Sequence, residues 1–207
     1  MEKTKKTYWD TFESPYQMGH QKHRDYLLNL FRFKNIKNLL DVGCGTGPIY
    51  QLLKEAQDNI KYKGTDYSWA MIDVAKREFP EADFEVQDAR KLIEDDNSWD
   101  CVLLMHCLDH LDNYQAAIAE AARVTSKYVC IVLWRAFVDE GTRLNPRNMY
   151  GKSEGEDPWE DTFLQEYSKE TLETEFKKNG LEIEQIAEGP EVNEENKYNF
   201  VYWLRKI

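Results

Sequence analysis

The sequence lacks the surplus of positive charge that a protein needs to hold nucleic acid. Its 207 residues contain 38 acidic and 27 basic side chains, which gives a net charge of −11. Binding to a phosphate backbone depends on lysine and arginine side chains that neutralise it. The charge therefore disfavours DNA as a partner. A disordered chain is also disfavoured, because 6 Trp, 12 Tyr and 9 Phe are too many large apolar groups to leave in water.

Metal-binding cysteine patterns and long apolar runs are also missing. The four cysteines form no CxxC pair and no Cys/His grid, so the sequence predicts no metal site. The longest apolar runs have five or six residues, and no such run follows Met1. We therefore expect no membrane-spanning helix, no signal peptide and no membrane partner. A reducing cytoplasm is the expected location.

The acidity is unevenly distributed along the chain. Residues 1–37 hold 8 basic and 4 acidic side chains, whereas residues 139–196 hold 17 acidic and 6 basic ones. The acidic stretch is either a solvated face or a source of negative potential that attracts cationic ligands. Under the second interpretation we expect a ligand that is neutral or cationic rather than anionic.

Short β-rich segments alternate with helical patterns, which predicts a parallel sheet built from βαβ units. The predicted strands are Asn38–Gly43, Tyr62–Asp66, Asp83–Gln87, Asp100–His106, Tyr128–Trp134, Leu181–Ala187 and Tyr198–Leu204. The predicted helices are His20–Phe33, Ile49–Gln57, Trp69–Phe79, Asn113–Val124 and Ser168–Asn179. We expect an α/β, three-layer, doubly wound Rossmann-like fold with a mostly parallel seven-stranded sheet. The last two strands are expected to form an antiparallel hairpin at its edge.

One segment, from Arg135 to Tyr167, breaks this alternation. It is about thirty residues long and has no clear period. Loops of this length inside a compact domain are usually lids or binding loops, so we expect a lid-like insert over residues 135–167. Its aromatic and acidic side chains form a setting that favours cations. We treat residues 1–207 as one domain, with a helical N-terminal arm at 1–35.

The most informative segment is a glycine-rich turn after the first predicted strand. Gly43, Gly45 and Gly47 follow Asp41 at alternating positions, and a helical pattern begins immediately afterwards. Glycines permit a tight turn and let a ligand approach the backbone closely, and doubly wound sheets bind ligands at this edge. Asp66 ends the second strand, where a carboxylate can accept hydrogen bonds from both ribose hydroxyls. Together these features predict a nucleoside-binding site.

The spacing of the glycines distinguishes two kinds of nucleoside site. The dinucleotide fingerprint G-x-G-x-x-G would place its third glycine at position 48, which is Pro48 here, and the third glycine is Gly47. This spacing disfavours a nucleotide-binding oxidoreductase, which stays open as an alternative. The pattern of Asp41 followed by Gly43, Gly45 and Gly47 resembles the S-adenosylmethionine (SAM) site of the class I, seven-stranded methyltransferases.

The resemblance to this family covers residues 36–134, and the terminal hairpin, which ends in Val201-Tyr202-Trp203-Leu204, fits as well. The further matching segments are Gly64–Ser68 with Met71, Gln87–Ala89, Asp100–His106 and Leu108–Leu111. The last of them resembles the Leu-Glu-His-Leu run of the ubiquinone-biosynthesis-like branch. The likeness implies a SAM-dependent methyltransferase that releases S-adenosylhomocysteine.

The resemblance also implies roles around the cofactor. Residues that would lie under or beside its methionine part are Asp41, Gly43, Gly45, Gly47 and the Met105–His106 main chain. Asp66 would accept hydrogen bonds from the ribose. Residues that would contact the adenine are Tyr67, Met71, Asp88 and the Ala89 backbone.

Candidate catalytic bases lie just past the fourth predicted strand. His106 and His110, with Asp109 between them, fall at the edge where an acceptor would bind. In the family, the position of His110 also often holds the loop in place. An oxygen acceptor usually needs a base, whereas a neutral amine brings its own lone pair. We therefore expect a small-molecule acceptor with an O or N atom.

Other functions stay open at this point. The Asp/Asn-Pro-Pro-Tyr/Phe signature of amino-group methylation on nucleobases is absent, which further disfavours DNA. The basic N-terminal segment, with Tyr8, Trp9, Phe12 and Tyr16, keeps an RNA-modifying methyltransferase open. A non-catalytic SAM-binding subunit or sensor would carry the same glycine turn. The sequence does not indicate an oligomeric state.

Overall fold

The computed structural model describes residues 21–133, 143–144, 165–188 and 200–207. The helices in these residues are α1 (Gln21–Phe33), α2 (Pro48–Glu55), α3 (Trp69–Glu78), α4 (Tyr114–Val124) and α5 (Lys169–Lys178), with a short 3-10 helix at Leu108–His110. The strands are β1 (Asn38–Val42), β2 (Lys61–Asp66), β3 (Asp83–Val86), β4 (Trp99–Met105), β5 (Thr125–Leu133), β6 (Arg143–Leu144), β7 (Gln165–Glu166), β8 (Leu181–Glu188) and β9 (Phe200–Lys206). Each predicted helix and strand is found, and the ends that fall within the described residues differ by no more than three residues. The predicted ends at His20, Trp134 and Tyr198 lie outside the described residues.

Seven of the described strands form one sheet in the order β3-β2-β1-β4-β5-β9-β8. The pairs among β1 to β5 are parallel, and β9 lies antiparallel between β5 and β8. The predicted α/β fold, with its antiparallel terminal hairpin, is therefore confirmed. The direction of strand addition reverses between β1 and β4, and doubly wound folds bind ligands at such a switch point.

Helices cover both faces of the sheet because successive side chains of the central strands enter two different cores. In β4, Cys101, Leu103 and Met105 belong to the core that contains α1, α2 and α3 side chains. Val102 and Leu104 belong to the core formed with α4 and α5. All five side chains are at most 7% exposed. A strand covered on both faces is apolar throughout, which explains the continuous run in the sequence.

The two helices that follow β2 and β4 each have an N-cap residue whose side chain accepts a hydrogen bond from a backbone N–H. The Ser68 hydroxyl accepts a hydrogen bond from the Met71 N–H at 3.3 Å at the start of α3. The Asn113 side chain accepts one from the Ala116 N–H, also at 3.3 Å, at the start of α4. Serine and asparagine are favoured at this position because they satisfy a helical N–H that has no partner within the helix. The caps fix both helix starts at the carboxyl edge of the sheet.

Only parts of the predicted arm and insert fall within the described residues. In the insert, β6 pairs antiparallel with β7, a pairing that the sequence did not indicate. Tyr167, directly after β7, is 4% exposed. The far end of the insert is therefore attached to the body of the domain. The lid role of residues 135–167 and the single-domain division stay predictions.

Candidate active site

The turn between β1 and α2 depends on three glycines with left-handed backbone angles. The φ values are +78° at Gly43, +54° at Gly45 and +85° at Gly47, a region that L-residues with a Cβ rarely adopt. A Cβ at Gly43 would lie 2.8 Å from Cys107 Sγ, and one at Gly47 would lie 2.8 Å from the Phe84 ring. At Gly45 no described atom comes within 4 Å of such a Cβ. Gly45 therefore leaves space in which a ligand can approach the backbone.

Asp66, at the end of β2, lies directly against this turn. Its Oδ2 accepts a hydrogen bond from the Gly45 N–H at 2.9 Å. Its Oδ1 accepts one from the Ser68 N–H, also at 2.9 Å. A carboxylate offers about four acceptor positions, so both oxygens can accept further hydrogen bonds from a ligand. The backbone thus fixes the orientation of the acid that the sequence assigns to the ribose.

Asp41, at the carboxyl end of β1, is the most deeply buried acid of the turn, at 1% exposed. The Tyr62 hydroxyl donates a hydrogen bond to its Oδ2 at 2.8 Å. Burial raises the pKa of Asp41 to about 7; the hydrogen bond from Tyr62 opposes this rise and the nearby charge of Asp66 adds to it. The sequence predicted Asp41 but missed Tyr62, since nothing in β2 marks this tyrosine as different from a core residue.

Asp88, after β3, is held by the residue two positions along the chain. Its Oδ1 accepts hydrogen bonds from the Arg90 N–H and Nε–H, and its Oδ2 accepts one from Nη2, each at 2.9 Å. Arg90 also donates from Nη1 to Asp112 at 2.9 Å. Burial opposes ionisation of Asp88, but the hydrogen bonds and charge of Arg90 outweigh it and lower the pKa. Arg90 was not predicted as a site residue.

The residues assigned to adenine differ in their exposure. Tyr67 is 50% exposed, whereas Met71 and Ala89 are 4% and 8% exposed. Met71 therefore packs inside the domain, whereas the side chain of Tyr67, which follows Asp66 in the chain, is half exposed. Trp69, at the start of α3, is 60% exposed and was missed by the sequence analysis. Two exposed aromatic rings thus follow β2 within three residues.

The two predicted histidines both lie beyond the carboxyl end of β4. His106 adopts a left-handed φ of +53°, and its N–H donates to the Val132 carbonyl at 2.9 Å. His110 ends the 3-10 helix, and its N–H donates to the Cys107 carbonyl at 3.1 Å. Both residues are half-buried, while Asp109 between them is 4% exposed. The structure therefore brings the candidate bases to one loop; their catalytic role stays a prediction.

Tyr167 attaches the insert to this loop. Its hydroxyl donates to the Leu108 carbonyl at 2.5 Å, and its ring packs edge-on against Tyr114 with centroids 4.8 Å apart. Burial raises the pKa of Tyr167, and the charge of Asp109 adds to the rise. The sequence analysis placed Tyr167 in the insert but could not find this contact, because its partner lies 59 residues away in the chain.

Negative charge is concentrated around Cys107, which lies between the glycine turn and the 3-10 helix. Burial raises the pKa of its thiol well above the ordinary value. The aspartates that raise it further through their charge are Asp66, Asp109, Asp41 and Asp88. Four acidic side chains therefore converge on the carboxyl edge of β1, β2, β3 and β4. This arrangement is complementary to a cationic ligand.

Comparison with known proteins identifies the part of the chain that builds this site. A family model described as a methyltransferase domain matches residues 39–127. These residues include the glycine turn, all four aspartates and both histidines. Residues 39–127 therefore match a methyltransferase domain.

Individual relatives of the methyltransferase domain agree with this assignment. The ubiquinone/menaquinone biosynthesis C-methyltransferase of Campylobacter jejuni is 30% identical over 106 residues, which cover 49% of this chain and 45% of that enzyme. The ajmaline N-methyltransferase of Rauvolfia serpentina is also 30% identical over 106 residues, covering 48% and 36%. The chain thus spans less than half the length of these relatives.

The fold of the methyltransferase domain is shared with solved structures. The magnesium protoporphyrin IX methyltransferase from Synechocystis, solved with bound SAM, superposes with a TM-score of 0.66. The alignment covers 97% of this chain and 90% of that one at 15% sequence identity. The likeness therefore extends over the terminal hairpin as well as the matched segment.

The residues of the site fit SAM by their charge and space. SAM carries an ammonium group and a sulfonium group, and the negative charge that the aspartates place around Cys107 is complementary to both, although Arg90 offsets the charge of Asp88. Gly45 offers open backbone beside Asp66. In the described part of the chain, no cluster of three or more histidine, cysteine or acidic side chains could hold a metal ion. None of the described helices is long and apolar enough to cross a membrane.

Proposed function

We propose that the chain transfers a methyl group from SAM to an O or N atom of a small-molecule acceptor. The observation that carries the proposal is the convergence of four aspartates on a turn of three left-handed glycines. This arrangement offers negative charge and accessible backbone to a cationic nucleoside. When bound, SAM supplies a methyl group on a positively charged sulfur, from which a lone pair of the acceptor can displace it.

Three of the aspartates would divide the recognition of the cofactor between them. Asp66, oriented by two backbone N–H groups, would accept hydrogen bonds from the ribose hydroxyls. Asp88, kept ionised by Arg90, would accept one from the adenine amino group. Asp41 would accept from the ammonium group of the methionine part. Carboxylates that the protein already holds in position lose little conformational freedom when the cofactor binds, which favours affinity.

The remaining contacts would come from one exposed ring and from main chain. The half-exposed ring of Tyr67 would stack on the adenine, with the buried Met71 supporting this region from within the domain. The Ala89 backbone would reach a ring nitrogen. The main chain of Met105 and His106 would face the amino acid end of the cofactor.

Alignment of the acceptor is the main requirement of an in-line methyl transfer. The acceptor would bind beyond β4, where His106 and His110 lie on either side of the buried Asp109. A neutral imidazole can take the proton of a hydroxyl acceptor, and a neutral amine would need no base. The named relatives include a C-methyltransferase and an N-methyltransferase. A test must therefore detect methylation on carbon, nitrogen and oxygen atoms.

The charge of the site supports a neutral or cationic acceptor. The aspartates around Cys107 and the acidic residues 139–196 would repel an anion. RNA is disfavoured for the same electrostatic reason.

The proposal is tested by following S-adenosylhomocysteine release with SAM and a library of neutral, cationic and anionic metabolites. We expect acceptor-dependent release and a methylated product, with neutral or cationic compounds among the best acceptors. The Asp66→Ala variant should be inactive and serves as the control for contaminating activity. SAM binding without turnover on any acceptor would contradict an enzymatic role and favour a SAM-binding subunit or sensor.

A further inference from the structure

Asp41 and Tyr62 form a buried pair that the register of the sheet explains. Asp41 in β1 pairs with Gly64 in β2, and Leu39 pairs with Tyr62 two residues earlier. Side chains two residues apart in a strand lie on the same face, so Tyr62 and Asp41 share one face. The Tyr62 hydroxyl reaches the carboxylate diagonally across the position of Gly64 and donates its hydrogen bond at 2.8 Å.

Gly64 makes this diagonal contact possible. A Cβ at this position would lie 2.8 Å from the Tyr62 hydroxyl oxygen and 2.7 Å from the Phe84 ring. Contacts this short would displace the phenol from its path to Asp41. Tyr62 is also fixed from the side, because its ring lies 5.3 Å from that of Tyr50 and 5.8 Å from that of Phe84. The hydroxyl is therefore held in place by packing.

The surroundings of Asp41 oppose its ionisation. The groups that interact electrostatically with Asp41 come from several elements. They are Tyr62 and Asp66 in β2, the Cys44 thiol in the glycine turn, the Cys101 thiol in β4 and the Cys107 thiol in the loop after β4. None of these five described neighbours carries a positive charge that could offset the charge of the carboxylate. The hydrogen bond from Tyr62 is the favourable interaction that lowers the pKa of Asp41.

We propose that Tyr62 is a positioning residue for cofactor binding, whose hydroxyl orients the Asp41 carboxylate and favours the ionised form that receives the cofactor's ammonium group. This inference rests on the proposed function. The ammonium group binds the carboxylate more strongly than the neutral carboxyl group, so binding favours loss of the proton from Asp41 wherever that proton is present. Affinity therefore rises with pH until Asp41 is fully ionised in the free protein.

Removal of the Tyr62 hydroxyl should move this dependence to higher pH. Loss of one hydrogen bond of ordinary strength to a carboxylate changes the pKa of that carboxylate by about one unit. If the Asp41 pKa rises from about 7 by that amount, affinity falls about fivefold at pH 7 and less than about twofold at pH 8.5. A purely structural loss would weaken binding equally at each pH.

The test uses calorimetric titration of S-adenosylhomocysteine into the full chain, from about pH 5.5 to about pH 8.5. The amino group of this ligand stays protonated over that range, so the ligand does not titrate. The variants are Tyr62→Phe and Asp41→Asn. The matched control is Tyr50→Phe, which removes a hydroxyl from the same aromatic cluster, where it bonds to the surface residue Glu81 at 3.2 Å.

For the wild type, titrations in two buffers of different ionisation enthalpy should show release of about half a proton at pH 7. Tyr62→Phe should weaken binding at pH 7 and recover as the pH rises, while Tyr50→Phe should match the wild type. Asp41→Asn should bind weakly with no dependence on Asp41 ionisation. If the wild-type pH dependence persists in Asp41→Asn, Asp41 is not its source and the inference is overturned.

Two further outcomes separate this inference from the proposed function. A pH-independent loss in Tyr62→Phe would overturn the positioning role while leaving SAM binding intact. Failure of the wild type to bind S-adenosylhomocysteine at any pH would contradict the proposed function itself. If Tyr62→Phe does not fold, the proton count of the wild type and Asp41→Asn still decides whether binding displaces a proton from Asp41.

Discussion

The two sides of the active site are assembled from different distances along the chain. The glycine-turn side, defined as residues 41–47 with Asp66 and Asp88, is closed by the contact between Gly45 and Asp66, 21 residues apart. The post-β4 side, defined as residues 106–111 with Tyr167, is closed by a contact across 59 residues. The first side is therefore built within adjacent βαβ units, and the second requires the insert to return to the sheet.

This difference matches a division of labour between the two sides. The glycine-turn side holds groups suited to one cofactor, with oriented carboxylates and a backbone that packing restricts to glycine. The post-β4 side is made of a short helix and the anchored end of an insert. Inserts and loops change more easily than the core they join, so acceptor specificity is expected on this second side.

The largest expected effect comes from removing Asp66, the acid of the glycine-turn side that we propose binds the ribose. Asp66→Ala should raise the Kd for SAM by a factor of about 100 or more, since each lost charged hydrogen bond contributes ~1.5–3 kcal/mol. Calorimetric titration measures the change. Asp73→Ala is the control, because this acid lies exposed on α3 with only a 3.8 Å ion pair to Arg77. If the Kd for SAM rises by less than tenfold in Asp66→Ala, the basis for assigning the cofactor to this side is removed.

The second prediction concerns the stability of the glycine-turn side without cofactor. Because burial raises the pKa of Asp41 to about 7, the folded protein binds a proton between about pH 4 and pH 7 that the unfolded chain has lost. The stability contributed by this group therefore decreases as the pH rises through that window. Asp41→Asn should be more stable than the wild type at pH 8 by on the order of 3 kcal/mol, with no advantage below about pH 4. Urea denaturation at both pH values measures this; equal stability at pH 8 would contradict it.

The third prediction separates two glycines of the same turn. Gly47→Ala should destabilise the domain by ~2–4 kcal/mol, because left-handed strain adds to the collision with Phe84. Gly45→Ala should lower the stability by only ~1–2 kcal/mol from strain, yet weaken SAM binding, since its Cβ projects into open space. Denaturation and titration of both variants test the pair. If both variants lose the same stability, the contact with Phe84 is not the reason that position 47 requires glycine.

The smallest expected effect lies on the post-β4 side. Tyr167→Phe removes the hydrogen bond to Leu108 and keeps the ring against Tyr114, which should lower stability by about 1 kcal/mol. We expect kcat/KM for the acceptor to fall a fewfold while the Kd for SAM stays within about twofold. Steady-state kinetics and SAM titration measure the two effects. A larger loss in SAM affinity than in acceptor use would place the insert on the cofactor side.

The sequence predicts the glycine-turn side better than the post-β4 side for a physical reason. Gly43, Gly45 and Gly47 with Asp66 are marked by residue type and spacing, because the backbone angles and the ligand both demand those residues. The strands were found because alternate burial on two faces leaves a continuous apolar run. Both signals are local.

The contacts that were missed depend on register or on long-range packing. Tyr62 looks like any aromatic residue in a strand until the pairing of Asp41 with Gly64 is known. Arg90 follows Asp88 by two residues, yet its double contact with Asp88 and Asp112 requires the position of the loop after β4. Tyr167 contacts Leu108, which lies 59 residues earlier in the chain, and no local signal marks this pairing.

The most direct test of the central claim, that the glycine-turn side is a SAM site, is a thermal-shift panel. SAM, S-adenosylhomocysteine, NAD and NADP are compared on the wild type and on Asp66→Ala. A ligand that binds the folded state raises the melting temperature in proportion to its affinity and concentration. We predict that only SAM and S-adenosylhomocysteine stabilise the wild type and that Asp66→Ala loses the shift. Stabilisation by NAD or NADP alone would contradict the account.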